Sequence, residues 1–456
     1  MNRADHSSRV RSALPYIAVF LLAMSVGCLH MLRYRTVSPI DELRHLDYAV
    51  KISNGQLTHI GDKIGEIAMR EESCRGIDLV GWLAPPCDTP QLDPLSYRDD
   101  GWQTASPHPP TYYLGAGMVG RTLRTVGITS SYLEGARFFS ALITAFGVTF
   151  VFHLLRKLKT NTYAAAGCSL MLMVFPSVMH SSGTVTPDSA SILVGAVVAL
   201  TTLRYIEAGL ALRWLAVAGI VAGAVKLTNL LAAAAAALFL IASSDAWHEL
   251  RERKFSAETK RRLIGSATVF GCALATTLLW LIIDSARATI DPAIIPQNLL
   301  NKYSGLPPLD FLIYPDVSMR WLPPSDNYLH VNFLPEPIVL LRTFTTVLLA
   351  GAAIVCLLRA KRTALALQFG AVGGIVALFG SPLFSLVTTA YTGTLVRPEG
   401  RYGLSLTPLF VVAIATQGET RTGRRILGTY GLIVVGAVIV MLMIATSATI
   451  PLPPPG

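Results

Sequence analysis

Apolar stretches long enough to cross a bilayer recur along this chain, starting near residues 12, 136, 161, 187, 211, 229, 262, 336, 364, 401 and 428. In lipid, a segment must satisfy its backbone polar groups internally, and an isolated apolar stretch does so only as a helix. The pattern predicts an all-α polytopic membrane protein, one domain over residues 1–456 with eleven transmembrane helices. Composition agrees: 52% of residues are hydrophobic and 14% charged, against about 25% charged in a soluble domain. The net charge of +10 is spread between apolar runs rather than along one stripe, which points to membrane lipids and away from nucleic acid.

The basic clusters set an orientation. Arg156, Lys157 and Lys159, then Arg204 and Arg213, the run from Arg251 to Arg262, Arg359 with Lys361 and Arg362, and Arg421 with Arg424 and Arg425 fall at turnarounds on one side. The positive-inside rule makes that side cytoplasmic in a bacterial cytoplasmic membrane, with the N-terminus inside and the final PLPPPG outside. No small-residue cleavage site follows the first apolar run, so it reads as a retained helix. Two long extracytoplasmic segments result, 35–135 and 284–335, and loops of that length are usually functional. Residues 110–126 contain Arg121 and Arg124 and read as an interfacial helix. Cys74 and Cys87, in the first long loop, are expected to form a disulfide if that loop lies outside the cell.

Immediately after the first apolar run the chain reads SPIDELRHLDY. Ser38 before Pro39 predicts a helix start, with Asp41 completing a capping-box spacing. Helical periodicity then puts Asp41, His45 and Tyr48 on one face, flanked by Arg44 and Lys51, and Leu43, Leu46 and Val50 on the other. Asp41, Glu42 and His45 are the candidate catalytic residues; the alternative is that Asp41 caps a helix whose charged face is solvated.

Other candidates lie at the same predicted membrane face. Asp188 follows Thr186 and Pro187 at a helix start, where an acid either caps the helix or serves the site. His180 is one turnaround away. Lys226 is a basic residue in an apolar pair of helices; it either snorkels to the interface or meets an anionic group. Arg401, followed by Tyr402, opens a helix where its charge opposes the dipole, so a phosphate or Glu399 should compensate it. His108 is presented by Pro109 and Pro110, just before Tyr112. No Walker loop, dinucleotide fingerprint or zinc-protease helix appears, and no internal repeat supports a transporter of inverted halves.

The ordered set PIDELRHLDYA, HPPTYYL, TPDSAS, KLTN and GRYGLSLTP resembles the GT-C superfamily of integral-membrane glycosyltransferases, which use polyprenyl-phosphate-linked sugars. It is most similar to a bacterial family of predicted membrane proteins with DE-x-x-H-like, HPP-x-YY and GRY motifs. The resemblance implies sugar transfer from a polyprenyl-phosphate donor to a glycan or lipid-linked cell-envelope acceptor, with inversion. It implies Asp41 as base, with Glu42 and His45 beside it. Asp188 corresponds to the superfamily's second acid; it, Lys226, Arg401, Tyr402, His108 and Tyr112 would bind substrate. Paired acids leave room for a divalent cation without requiring one. The chain departs from the mannosyltransferase spacing by an extra residue between Glu42 and His45, and no soluble domain is expected after the last helix. The competing classes are a transporter or lipid flippase, which would need polar residues at helix midpoints, and a structural assembly partner.

Overall fold

The computed structural model describes residues 3–77, 79, 81–252, 254–291, 305–323, 335–359, 364–393 and 395–444. Parts of the second long loop (292–304 and 324–334), the basic residues Lys361 and Arg362, and the terminal PLPPPG lie outside the described residues. Among the described residues the protein is helical, with two isolated bridges and no strand.

The α-helices in chain order are α1 (Arg3–Arg33), α2 (Glu42–Ser53), α3 (Glu66–Arg75), α4 (Thr111–Thr125), α5 (Tyr132–Lys157), α6 (Thr162–Leu170), α7 (Pro176–Gly183), α8 (Ser191–Glu207) and α9 (Leu212–Val225). They continue with α10 (Leu230–Ala242), α11 (Ala246–Arg251), α12 (Ala257–Ala286), α13 (Leu309–Ile313), α14 (Pro315–Ser318), α15 (Glu336–Leu358), α16 (Leu365–Thr392), α17 (Thr407–Ala415) and α18 (Arg421–Ile444).

Each apolar run of the sequence becomes helix, but not every helix is long enough to cross a bilayer. Seven qualify by length and apolarity, and an eighth does so if the pair around Phe175, bent by 80°, counts as one span. The remaining three apolar segments, Leu212–Val225, Leu227–Ala242 and Gly400–Ala415, are shorter. The reason is local. Lys226 is extended between α9 and a 3-10 turn, and Gly400–Leu406 is a 3-10 segment leading into α17. These interruptions leave irregular backbone deep in the bundle, the kind of backbone a membrane protein tolerates around a buried polar site.

Helix α5 is the central post. It packs against α1, α4, α7 and α8. One core cluster surrounds its Lys157 end with α6, α17 and α18, and a second lies under the first long loop with α2, α4, α9 and α12. Two glycines allow the close approaches that matter for the site. A Cβ on Gly117 would fall 2.1 Å from the Ala49 carbonyl oxygen, so its absence lets α4 lie on α2. A Cβ on Gly195 would fall 2.0 Å from the Ser405 carbonyl oxygen, so its absence lets α8 approach the segment carrying Arg401.

The first long loop is a folded cap. α2 does not lie on the surface with a solvated face, as an amphipathic interfacial helix would: every residue from Glu42 to Val50 is buried. Its charged side chains are paired instead. Arg44 bonds Asp99, and Asp47 accepts from Lys51, from the Gly65 amide at 2.7 Å and from Gln103 at 2.7 Å. Cys74 and Cys87 are joined, with Cα atoms 4.4 Å apart, tying the end of α3 to the following loop.

Candidate active site

The helix of the SPIDELRH motif begins one turn later than its capping signals predict. Asp41, not Ser38, is its N-cap, and it adopts φ 59° and ψ 3° without a capping side-chain hydrogen bond. That is the left-handed region, sparsely used by residues other than glycine, though aspartate tolerates it better than most. Strain of this kind costs on the order of 1–3 kcal/mol and persists where surrounding structure over-determines it.

The over-determining structure is Glu42. Its carboxylate is fully buried and takes a two-pronged ion pair from Arg137 of α5, Nε to Oε1 at 2.8 Å and Nη2 to Oε2 at 2.6 Å. The same carboxylate accepts the Ser38 amide at 2.7 Å and the Val185 amide at 2.8 Å. Arg137 also donates to the carbonyls of Tyr34 and Thr36. One carboxylate thus ties together the exit of α1, the start of α2 and the turn leading to Asp188. Burial opposes ionisation of Glu42, but the Arg137 charge and these hydrogen bonds outweigh it and hold the carboxyl below its ordinary pKa. His180 contributes to the same junction, its Nε2 lying 2.8 Å from the Ser38 hydroxyl.

Asp41 is free of that scaffold, with its side chain 46% exposed. Arg401 Nη2 lies 3.4 Å from its Oδ2, and Arg401 Nε lies 3.7 Å from Oδ2 of Asp188. The guanidinium therefore sits between the two acids. Asp188 is capped by Thr186, whose hydroxyl accepts the Asp188 amide at 3.4 Å, and it pairs directly with Lys226. Asp188 thus sits in the capped first turn that the capping reading expected and also contacts both cations. Lys226 Nζ is 4.8 Å from the centre of the Tyr402 ring. It is buried and paired rather than snorkelling. Burial raises the carboxyl pKa of Asp41, yet the charges of Arg401, His45, Arg44 and Arg98 prevail and hold it below its usual value.

Two neutral imidazoles line the other side. His45 accepts from or donates to the Tyr113 hydroxyl through Nδ1 at 2.7 Å, and its ring centre is 5.6 Å from that of His108. Burial pushes the His45 pKa down to about 4 and that of His108 down to about 3. Tyr112 stands one layer behind, its hydroxyl accepting the Thr186 amide at 2.9 Å and lying 2.7 Å from the Ser140 hydroxyl. Asp41, His45, His108, Asp188, Lys226, Arg401 and Tyr402 thus form one neighbourhood, while Glu42 and Tyr112 buttress it. Sequence reasoning missed Arg137 and Tyr113. A charged residue within the apolar run LEGARFFS was the available signal for Arg137.

An apolar groove of about 600 Å³ begins beside this cluster. Its lining includes Leu227, adjacent to Lys226, and Trp321 and Phe384. The Phe384 ring lies 5.5 Å from that of Tyr402. No group of three or more metal-ligating side chains occurs among the described residues.

Residues 125–280, about a third of the chain, match the family model of dolichyl-phosphate-mannose-protein mannosyltransferases. The match bears out the GT-C resemblance and, with the apolar helices, points to the class: a membrane glycosyltransferase. It contains Arg137, Asp188 and Lys226; Asp41 and Arg401 lie outside it. Solved structures similar to this chain include ArnT from Cupriavidus metallidurans in the apo state, 15% identical, covering 96% of this chain and 71% of that one with a TM-score of 0.49. The same protein bound to undecaprenyl phosphate is 16% identical, covering 94% and 70%, with a TM-score of 0.47. No curated protein matches the chain.

Proposed function

We propose that this protein transfers a sugar from a polyprenyl monophosphate donor to a hydroxyl of a cell-envelope acceptor, at the outer face of a bacterial cytoplasmic membrane. The observation that carries the reading is the position of Arg401 between Asp41 and Asp188, with Lys226 beside it, at the head of an apolar groove. A phosphate suits the two cations, and an isoprenoid chain suits the groove.

In the proposed reaction, ionised Asp41 accepts the acceptor hydroxyl proton as the acceptor oxygen attacks the anomeric carbon. The bond from that carbon to the phosphate oxygen breaks, and polyprenyl phosphate leaves. Arg401 and Lys226 stabilise the charge growing on the departing phosphate. A single displacement inverts the anomeric centre. Asp188 holds both cations in place, and the neutral His45 and His108 offer hydrogen bonds to sugar hydroxyls. Glu42, with its acceptor positions already used, positions Asp41 and the Asp188 turn rather than reacting. Asp41 and Asp188 are the acids through which a divalent ion would enter, although Arg401 and Lys226 already supply positive charge there.

The test is Asp41→Asn. Asparagine tolerates the left-handed backbone but cannot take the proton, so the variant should fold with an unchanged melting temperature and lose about 10²–10⁴ in transfer rate. Transfer at the parental rate by folded Asp41→Asn would remove Asp41 as base.

A further inference from the structure

The Lys157 end of α5 carries a polar cavity that the transfer reaction does not use. It has a volume of about 360 Å³ and lies between α1, the end of α5 and the start of α6. Tyr16, Phe152, His153, Arg156, Lys157 and Thr162 line it, and no acid lines it among the described residues. Neither Arg156 nor Lys157 has a carboxylate partner among the described residues. Arg156 spends one N–H on the Thr160 carbonyl, leaving further donors of its fork open. Tyr16 is fixed beside the cations: its hydroxyl lies 3.0 Å from His153 Nδ1, and its ring meets Phe152 edge-on at 4.7 Å.

The position of this cavity relative to the candidate active site identifies the ligand's environment. Arg137, which anchors the site, and Arg156 are nineteen residues apart on the same unbroken helix, α5. At 1.5 Å per residue that is about 28 Å, close to the thickness of a bilayer's hydrocarbon core. The cavity therefore sits at the opposite membrane interface. From it, exposed apolar side chains run back toward the middle of the membrane: Leu14, Ile17 and Leu21 on α1, and Phe150 and Phe146 on α5. A free anion would use the cations and leave that surface untouched. A lipid uses both, because its acyl chains follow the apolar strip while its phosphodiester meets the basic pocket.

We propose that this cavity binds the headgroup of an anionic phospholipid. Phosphatidylglycerol supplies the required chemistry, a single phosphodiester anion with hydroxyls for Thr162 and two acyl chains. A basic pocket between transmembrane helices is a recognised way to hold such headgroups, and each basic residue near a lipid surface strengthens binding about fivefold. The proposal is independent of which sugar the other end handles and of which membrane side faces the cytoplasm.

Native mass spectrometry of the full-length detergent-solubilised protein tests it, with phosphatidylglycerol and phosphatidylcholine as added probes. The parent should retain phosphatidylglycerol in preference to phosphatidylcholine. Arg156→Gln with Lys157→Gln should weaken phosphatidylglycerol retention about 25-fold, and Lys157→Gln alone about fivefold. The pair Lys254→Gln with Lys260→Gln, exposed where the chain enters α12, a helix that packs on α9 and α10, should leave retention unchanged. Millimolar inorganic phosphate should not displace the lipid. Equal retention by parent and both cavity variants overturns the proposal, as does equal loss in the Lys254/Lys260 pair, which indicates diffuse surface attraction. Displacement by inorganic phosphate also overturns it, making the cavity an anion site rather than a lipid site.

Discussion

Removing Arg137 while leaving Glu42 should be among the most damaging single changes in the bundle. The Glu42 and Arg137 side chains are 0% and 1% exposed, and the pair makes two short hydrogen bonds. Arg137→Met leaves a buried carboxylate with only the Ser38 and Val185 amides as donors. Breaking one side of a buried pair costs about 3–5 kcal/mol, because the remaining charge keeps its desolvation cost and loses its partner. For a protein of this size that corresponds to a fall of roughly 6–10 °C in unfolding midpoint, taking about 2 °C per kcal/mol. The double change Glu42→Met with Arg137→Met removes both charges and should recover much of the loss. It should not restore transfer, because Asp41 loses what holds it in the left-handed conformation and the Asp188 turn loses its tether. Scanning fluorimetry in detergent reads the midpoints, and donor binding by the folded variants reads the site. An Arg137→Met midpoint equal to the parent's would refute the reasoning, as would a double variant whose loss equals the sum of the singles.

Two further outcomes follow from the first loop. His45 and His108 take protons in the folded protein only near pH 4 and pH 3, but near 6.5 when unfolded, so the unfolded state binds more protons as pH falls below about 6.5. Stability should therefore decline between about pH 6.5 and 4.5, before the lowered carboxyls Asp41 and Glu42 begin to contribute, and His45→Gln should flatten that part of a midpoint-against-pH curve; an unchanged slope would mean that His45 is not buried neutral. The Cys74–Cys87 link closes a short loop of sequence separation 13, for which the chain-entropy model gives about 3 kcal/mol. Unreduced protein made in an oxidising compartment should resist alkylation at both positions, and Cys74→Ser with Cys87→Ser should unfold at a lower temperature.

The helical class was legible because lipid leaves so few backbone options: each apolar run became helix. The number of crossings was less legible. Hydropathy counts apolar residues and does not register that Lys226 is extended between α9 and the next turn, or that Gly400–Leu406 winds as 3-10. Both interruptions occur where the chain delivers a cation to Asp188, so the same local irregularity that shortens those helices builds the site.

For the site, residue types were readable and roles were not. Periodicity paired His45 with Tyr48, and both rings do lie against Tyr113, at 5.7 and 4.1 Å. Periodicity also put Asp41 inside the helix, on their face, because no local rule predicts that an aspartate will be forced to φ 59°. That conformation depends on Arg137, ninety-five positions away from Glu42, and on the Val185 amide, which is more distant still. Adjacent acids in DE look interchangeable in one dimension. In three, the ion pair consumes Glu42, and its consumption leaves Asp41 half-exposed beside Arg401. The division of labour in the proposed reaction is therefore a consequence of burial: the acid that reaches α5 becomes scaffold, and the one strained away from it keeps a half-exposed carboxylate beside Arg401.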